Sequence, residues 1–217
     1  MPVYVLADES MSMNDHIGEL NAGLASLHEA LLAEPMAAAK VRFSVLGFSD
    51  DVVVRLHLTD LRRESHLPEL FSRGATNYSK AFAALLRHIP QDVASLKRDQ
   101  FQVHRPAVFF LSDGQPSDGV SWRQPHRQLT DKSTNRAAPN IIACGIGHAE
   151  PETILAVATQ QDFAFVAIEG TQVGAAIAKF CTALTKSIVA SGQSLTTSNP
   201  ELVVDKPEGF RMAIDVI

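Results

Sequence analysis

Side chains that carry oxygen atoms follow two short apolar runs of this sequence, residues 3–6 and 107–111. Such runs are typical of buried strands in a parallel sheet, and ligands of these sheets bind beyond the C-terminal strand ends, where the strand order reverses. Carboxylate and hydroxyl oxygens are the ligands that Mg²⁺ and Mn²⁺ prefer, in octahedral geometry. The sequence therefore predicts a site for one divalent cation, and its predicted metal ligands are Asp8, Ser10, Ser12, Thr76 and Asp113.

Once bound by these five residues, the predicted cation could still bind one further anionic ligand. The negative charges of Asp8 and Asp113 balance a divalent ion, whereas the three hydroxyls are weak and neutral ligands. The bound ion would therefore still attract an anionic oxygen. An Asp or Glu side chain of a protein partner would supply that oxygen.

Each of these residues also has an ordinary structural explanation. Ser10, Ser12 and Thr76 belong to residue types that cap the N-termini of helices, and Asp8 fits a capping or strand-end carboxylate. Taken one at a time, capping explains each of them more simply than metal binding does. Their joint occurrence at two predicted strand ends and before a predicted helix favours the metal site. A degenerate site that no longer binds metal is the remaining alternative.

Apolar runs and helical periodicities alternate along the chain and predict a mostly parallel sheet with helices on both faces. Only Ser49, Asp50 and Asp51 separate two predicted strands, and a parallel crossover needs a dozen or more residues, so this pair must be an antiparallel hairpin. The predicted fold class is α/β, with a three-layer Rossmann-like architecture, a six-stranded sheet and one antiparallel edge strand. Strands are predicted at residues 3–6, 41–48, 52–58, 107–111, 141–146 and 163–168. Helices are predicted at residues 17–32, 151–159 and 173–189. A further helix starts at residue 76 or 77 and ends before Pro90, and a short one lies between residues 115 and 140.

The chain is predicted to consist of one domain, residues 1–192, and a tail, residues 193–217. The tail is richer in Ser, Thr and Pro than the domain. Near its end, apolar residues alternate with polar ones, as in a half-buried strand. We therefore expect the tail to pack on the domain or on a partner. The alternating apolar residues are Phe210, Met212, Ile214 and Val216.

Composition excludes several classes of protein. With 46% hydrophobic and 20% charged residues, the chain has the composition of a globular domain and not of a disordered one. A net charge of −5 without a Lys/Arg-rich run gives no electrostatic footprint for nucleic acid. The longest apolar stretches have the length of strands, so no membrane span is expected. The first residues lack a basic region and a cleavage site, which predicts a strand instead of a secretion signal.

The two cysteines predict a reducing environment. Cys144 and Cys181 belong to no CxxC motif and to no His-rich cluster. Two buried thiols are therefore a better interpretation than a disulfide. Such thiols are typical of a reducing compartment, so a cytoplasmic localisation is expected.

The segment after Asp113 leaves two questions open. Trp122, with Arg123 and Arg127, could form a partner-binding rim, since Trp and Arg are enriched in binding hot spots, or it could simply pack the loop. Asp118 could contact the metal ligands without binding the metal itself, or it could be a solvated acid of the loop. The eight histidines are scattered without paired spacing, so a zinc site of the HExxH type is not expected.

At the predicted ligands the sequence resembles the von Willebrand factor A family. The metal-ion-dependent adhesion site (MIDAS) of that family has the pattern Asp-x-Ser-x-Ser, then a distant Thr and a distant Asp. These positions match Asp8-Glu9-Ser10-Met11-Ser12, Thr76 within GATN, and Asp113 within LSDGQPSDG. The resemblance covers roughly residues 3–190. It implies the von Willebrand factor A fold and a binding module whose Mg²⁺ or Mn²⁺ ion recruits an acidic residue of a protein partner.

Within that family the sequence is most similar to the bacterial TerY-type proteins associated with tellurium resistance. The similarity lies in the stretches SDGQPSDG and NIIACGIG and in the start at the first strand. It implies a stress-response or phosphorylation system, with a protein phosphatase or kinase as partner. Two departures concern the metal motif: Met11 stands where the family often has Gly, and Glu9 is expected to add a carboxylate beside the site.

A metal-dependent hydrolase or phosphotransferase is the alternative function. A phosphotransferase with Asp8 as nucleophile would want a second Asp two positions later, where this sequence has Ser10. The chain has neither a GxSxG elbow nor a GxxxxGK[ST] loop, and no His or Lys stands obviously beside the serines as a base. The residues therefore favour binding over catalysis, and we do not expect an enzyme.

Overall fold

A computed structural model describes residues 1–195, 197 and 200–216 of the chain. Its centre is a sheet in which the described residues form seven strands, in the order β3-β2-β1-β4-β5-β6-β7. All pairs are parallel except β2–β3 and β6–β7, which form the two edges. The strands are β1 (Pro2–Asp8), β2 (Arg42–Phe48), β3 (Val52–Thr59), β4 (Ala107–Ser112), β5 (Asn140–Gly145), β6 (Ala164–Ala167) and β7 (Phe210–Met212).

Helices cover both faces of the sheet and bury one apolar cluster on each side. On one face lie α1 (Ile17–Leu32) and α6 (Val173–Ser194), with α2 (Pro35–Lys40) against α6. On the other face lie α3 (Tyr78–Arg98), α4 (Arg123–Thr130) and α5 (Pro151–Val157). The central strands β1 and β4 are buried on both faces, which explains why their sequences are continuous apolar runs. The three-layer α/β fold is therefore confirmed.

The strand order places a crevice at the C-terminal end of β1. The chain leaves β1 for β2 on one side, whereas β4 lies on the other side, so the strand order reverses between β1 and β4. The antiparallel hairpin of β2 and β3 forms one edge, as the three-residue link requires. Asp8 and Asp113 therefore come from neighbouring strand ends at the reversal point, as the sequence predicts.

The expectation of six strands with a single antiparallel edge is wrong. Within the tail, β7 pairs antiparallel with the outer side of β6, so both edge strands are antiparallel. Residues 213–215 then form a 3-10 turn, which ends the strand before the predicted alternation does. Ile217, the last residue of that predicted strand, lies outside the described residues.

The predicted end of α3 before Pro90 is also wrong, because the helix continues to Arg98. Proline in a helix removes one backbone hydrogen bond and costs about 3 kcal/mol. The second half of the helix offsets this cost by burial, since Ile89 and Val93 enter the core. This half of the helix is also held by a hydrogen bond that the hydroxyl of Tyr4 donates to Asp92 Oδ2 at 2.9 Å.

One helix among the described residues, α6, is long and apolar enough by length and composition to span a membrane. The sequence-based expectation of strand-length apolar stretches missed this property. In the structure α6 packs against α1 and buries Ile177, Phe180 and Leu184 in the core. A core helix passes the same test of length and composition. Its Cys181 and the strand residue Cys144 are buried free thiols, as predicted.

Candidate functional site

The first carboxylate of the site lies at the end of β1 and is completely buried. Asp8 Oδ1 accepts a hydrogen bond of 2.8 Å from the backbone N–H of Ser10, which turns the chain back over the strand end. Asp8 Oδ2 accepts one of 2.5 Å from the hydroxyl of Ser112, the last residue of β4. The two neighbouring strand ends are therefore joined through this carboxylate.

Three further oxygen atoms form a continuous chain in front of Asp8. The hydroxyls of Ser10 and Ser12 lie 2.9 Å apart. The Ser12 hydroxyl donates to Asp113 Oδ1 at 2.8 Å. Ser10 and Asp113 are buried and Ser12, between them, is exposed, so the chain of oxygens reaches the surface at Ser12. Four of the five predicted ligands are thus brought together by hydrogen bonds.

The fifth predicted ligand, Thr76, lies at the edge of this group. It is buried, and a Cβ atom on Gly114 would lie 3.8 Å from its hydroxyl oxygen. Its backbone carbonyl accepts hydrogen bonds from the N–H and the hydroxyl of Ser117, at 2.8 and 2.9 Å. The loop that contains Thr76 is therefore fastened to the segment that follows Asp113.

Both carboxylates lie in surroundings that disfavour their charge. Burial raises the pKa of Asp8 to about 6, against the opposing effect of its hydrogen bonds from Ser10 and Ser112, and the nearby charge of Asp113 adds to the rise. Burial likewise raises the pKa of Asp113, against the hydrogen bond from Ser12. Two buried carboxylates near each other are a source of repulsion that a bound cation would neutralise.

The donor set and its spacing fit a small hard cation. Ligand oxygens at 2.0–2.1 Å from an octahedral Mg²⁺ ion lie about 2.9 Å from their neighbours, by the geometry of the octahedron. The Ser10–Ser12 and Ser12–Asp113 oxygen pairs have separations of 2.9 and 2.8 Å. Within residues 1–195, 197 and 200–216, no group of three or more His, Cys, Asp or Glu side chains could hold a metal ion.

The sequence-based prediction missed two residues of the site. The first is Ser112, whose hydroxyl donates to Asp8. It stands at the end of an apolar run, and its polar side chain immediately before Asp113 was the signal that could have identified it. Tyr78 is completely buried, and its hydroxyl donates to the carbonyl of Gly114 at 3.2 Å. Its place in the first turn of a predicted helix gave no sign of this contact.

Glu9 does not add a carboxylate beside the site, so this expectation is wrong. Its side chain is completely buried and forms ion pairs with Arg55 and Arg73. The physical reason is alternation, because successive residues of an extended chain point to opposite faces. Asp8 and Glu9 therefore have different partners: Asp8 contacts Ser112 at the end of β4, whereas Glu9 contacts Arg55 of β3 and Arg73.

The two open questions about the segment after Asp113 have structural answers. Among the described residues, Asp118 has no hydrogen bond to the predicted ligands but accepts hydrogen bonds from the backbone N–H groups of Tyr78 and Ser79, at the N-terminus of α3. Trp122 is buried, and its ring lies against those of Tyr78, Phe82 and His126. The packing interpretation of Trp122 is therefore confirmed, and the hypothesis of a partner-binding rim at this side chain is wrong.

Comparisons with known proteins agree with this fold. The family model of the von Willebrand factor type A domain matches residues 3–178. The pilus adhesin SpaC from Lactobacillus rhamnosus GG, in an open conformation, has a TM-score of 0.66 at 12% sequence identity, over 87% of this chain and 30% of that chain. A von Willebrand factor type A structure from Catenulispora acidiphila has a TM-score of 0.56 at 15% identity, over 87% of this chain and 42% of that chain.

A third similar structure is proximal thread matrix protein 1 from the mussel byssus, with a zinc-occupied MIDAS motif. Its TM-score is 0.54 at 17% identity, over 87% of this chain and 45% of that chain. At such identities the likeness shows the fold alone, and this chain spans less than half the length of each of the three structures. A comparison with curated proteins found no match.

Proposed function

The chain belongs to the von Willebrand factor type A domain family, and from this premise we propose that it is a metal-ion-dependent protein-binding module. Domains of this family are typically interaction modules and not enzymes. The observation that carries the proposal is the continuous chain of oxygens from Ser10 through Ser12 to Asp113, directly in front of the buried carboxylate of Asp8. Asp8, Ser10, Ser12, Thr76 and Asp113 together hold the cation.

The proposed cation is Mg²⁺ or Mn²⁺. All five residues offer oxygen atoms, which these hard ions prefer, and the two carboxylates balance the charge of a divalent ion. When bound, the cation supplies a positive centre that attracts an anionic oxygen from outside the domain. The zinc-occupied MIDAS motif of the byssus protein makes Zn²⁺ a third cation to be tested on this chain.

On the side that faces away from the domain, the cation is proposed to bind an Asp or Glu side chain of a protein partner. Ser12 is exposed, and the adjacent Met11 has 63% of its surface exposed, so a partner reaches the oxygen chain at Ser12. The hydroxyl ligands are neutral, which leaves the cation with affinity for a carboxylate. An exposed methionine beside it offers a flexible apolar contact for the same partner.

The resemblance to TerY-type proteins supports a more specific assignment. We propose that the partner belongs to a bacterial tellurium-resistance, stress-response or phosphorylation system and is a protein phosphatase or kinase. We also propose a cytoplasmic location, which the buried free thiols of Cys144 and Cys181 support. Co-purification from the native host, followed by identification of the bound proteins, tests both assignments.

The experiment on the proposed function uses two pools of short fluorescein-labelled peptides, one with a central Glu and one with Gln in its place. Fluorescence anisotropy is measured with Mg²⁺, Mn²⁺ or Zn²⁺, and with a chelator. We expect binding of the Glu pool in the presence of a cation and its loss with chelator, with the Gln pool or with Asp113→Ala. The matched control Asp162→Ala removes an exposed carboxylate from a 3-10 turn and should leave binding unchanged.

The same samples distinguish the alternative function. A metal-dependent hydrolase or phosphotransferase would turn over p-nitrophenyl phosphate or p-nitrophenyl acetate when Mg²⁺ or Mn²⁺ is present. Among the hydrogen bonds of the described residues, the Ser10 and Ser12 hydroxyls have no His or Lys partner that could act as a base. We therefore expect no turnover above background. Metal-dependent turnover that Asp8→Ala abolishes would contradict the binding module.

A further inference from the structure

A second buried carboxylate lies behind the metal motif, at Glu9. Its side chain has no exposed surface, yet it accepts four hydrogen bonds. Arg55 donates through Nε and Nη2 at 2.8 and 3.0 Å, Arg73 through Nε at 2.7 Å, and the backbone N–H of Phe71 at 3.3 Å. A buried charge is costly unless it is paired and hydrogen-bonded, and this one is both.

The neighbouring strand leaves room for the Glu9 side chain. Gly47 of β2 lies beside β1, and a Cβ atom there would lie 2.1 Å from Glu9 Cδ. No side chain other than hydrogen is compatible with that distance. The space over Gly47 is therefore occupied by the Glu9 carboxylate, at the end of the same strand pair that delivers Asp8.

Arg73 connects this carboxylate to two other parts of the structure. Its guanidinium also forms an ion pair with Asp51 in the β2–β3 hairpin and donates to the carbonyl of Gly47 at 3.2 Å. Its backbone N–H donates to the carbonyl of Glu9 at 2.5 Å. The charges of Arg55 and Arg73 are thus balanced by those of Glu9 and Asp51, and Arg73 is held by both its side chain and its backbone.

The segment from Phe71 to Asn77, here called the threonine loop, contains Thr76 and runs directly over the metal motif. The hydroxyl of Ser72 donates to the carbonyl of Ser10 at 3.0 Å. The N–H of Met11 donates to the carbonyl of Gly74, also at 3.0 Å. These contacts set the distance between the threonine loop and the serines, and Arg73 lies between them in the sequence.

From these contacts we propose that Glu9 is a positioning residue for the metal site. Its carboxylate fixes Arg73, Arg73 fixes the threonine loop, and the loop places Thr76 near Gly114, the residue that follows Asp113. The proposal rests on the proposed function, because a positioning role needs a cation to be bound. Glu9→Gln keeps the size of the side chain but removes its charge, so Asp51 alone is left to balance the two arginines and the loop is held less firmly.

The first test is made without metal. Amide hydrogen exchange of the full chain is followed by mass spectrometry for wild type, Glu9→Gln and Asp60→Asn. Asp60 is a matched control, since it is also buried and paired with an arginine, Arg62, at 2.6 Å, but its hydrogen bonds and ion pairs within the described residues do not include the threonine loop. We expect faster exchange at residues 71–76 in Glu9→Gln and wild-type exchange there in Asp60→Asn. Unchanged exchange of that segment in Glu9→Gln overturns the proposal.

The second test measures Mg²⁺ affinity by calorimetry at a temperature where circular dichroism shows all variants folded. Groups that orient metal ligands typically change affinity 10–100-fold, so we expect Glu9→Gln to weaken binding about tenfold and Asp60→Asn to leave it unchanged. If Glu9 acts through Thr76, the loss in a Thr76→Ala background should be much smaller. Equal losses in both backgrounds, or no loss in either, overturn the proposal.

The two tests separate this proposal from the proposed function. If wild type binds neither Mg²⁺ nor Mn²⁺, the proposed function fails and a metal-positioning role fails with it, whatever the exchange result. If wild type binds Mg²⁺ but Glu9→Gln exchanges and binds like wild type, the proposed function stands and only the role of Glu9 is refuted.

Discussion

Replacement of Trp122 by alanine removes the chain's single tryptophan from the contact between α3 and α4. The side chain is 3% exposed, and its ring centroid lies 5.9 Å from that of Tyr78, 5.7 Å from Phe82 and 5.5 Å from His126. Tyr78 is the first residue of α3, shortly after Thr76, so this packing also supports the beginning of the helix behind the metal site.

The expected loss of stability follows from this burial. Truncation of a core Phe or Trp to Ala costs about 3–5 kcal/mol, and aromatic pairs contribute about 0.5–1.5 kcal/mol beyond area burial. With three ring neighbours, Trp122→Ala should lose about 4–5 kcal/mol of the free energy of unfolding. A domain of typical stability, about 5–15 kcal/mol, would remain folded or become marginal.

The assay is urea unfolding followed by far-ultraviolet circular dichroism, at equal protein concentration and without metal. Arg123→Ala is the matched control, because Arg123 is the next residue and lies exposed over the Trp122 ring, 5.8 Å from its centroid. An exposed cation–π contact contributes about 0.5–1 kcal/mol, so the control should lose at most that much. A loss below 1 kcal/mol for Trp122→Ala, or one equal to that of Arg123→Ala, would refute the packing interpretation.

Three further predictions concern the rest of the fold. Burial lowers the pKa of His126 below its usual 6.5, so on acidification the unfolded chain takes up a proton before the folded chain does. The free energy of unfolding should therefore fall as pH drops below about 6.5, by up to about 1.4 kcal/mol per pH unit. In urea unfolding between pH 5 and 8, His126→Asn should show a weaker dependence of stability on pH than wild type, and an equal dependence would argue against this. Asp118→Ala removes the acceptor of two N–H groups at the start of α3 and should cost about 1–2 kcal/mol by thermal unfolding, whereas no loss would show that water replaces it. Phe210→Ala in β7 should cost about 3–5 kcal/mol by chemical unfolding, because this side chain is buried in the core, and a negligible change would mean that the tail does not support the domain.

The fold was predictable from the sequence where local rules decide it. The three-residue link after Phe48 forces an antiparallel hairpin whatever the remainder of the chain does. The apolar runs before Asp8 and Asp113 predict buried parallel strands, because neither face of such a strand meets water. Their strand ends then had to lie on the same edge of the sheet, and Ser10 and Ser12 follow Asp8 too closely to lie elsewhere.

The features that were missed depend on contacts between distant residues. The three residues of β7 form a strand only because β6 offers an unpaired edge, and the same sequence pattern would fit a free arm. The continuation of α3 beyond Pro90 depends on burial of Ile89 and Val93, which local propensity does not contain. The direction of Glu9 depends on Gly47 and two arginines from other parts of the chain.

Calorimetric titration of metal-free protein with Mg²⁺ and Mn²⁺, with thermal unfolding of the same samples, shows whether Asp8, Ser10, Ser12, Thr76 and Asp113 form a cation site. Wild type should bind one ion per chain, and a ligand at a hundredfold excess over its Kd should raise the stability by about 2.7 kcal/mol. Asp8→Ala and Asp113→Ala should abolish both effects, and Thr76→Ala should weaken them less, because water can replace a neutral hydroxyl. If wild type binds neither ion at millimolar concentration, even with the Glu peptide pool present, the site is a set of capping and hydrogen-bonding residues and the account is contradicted.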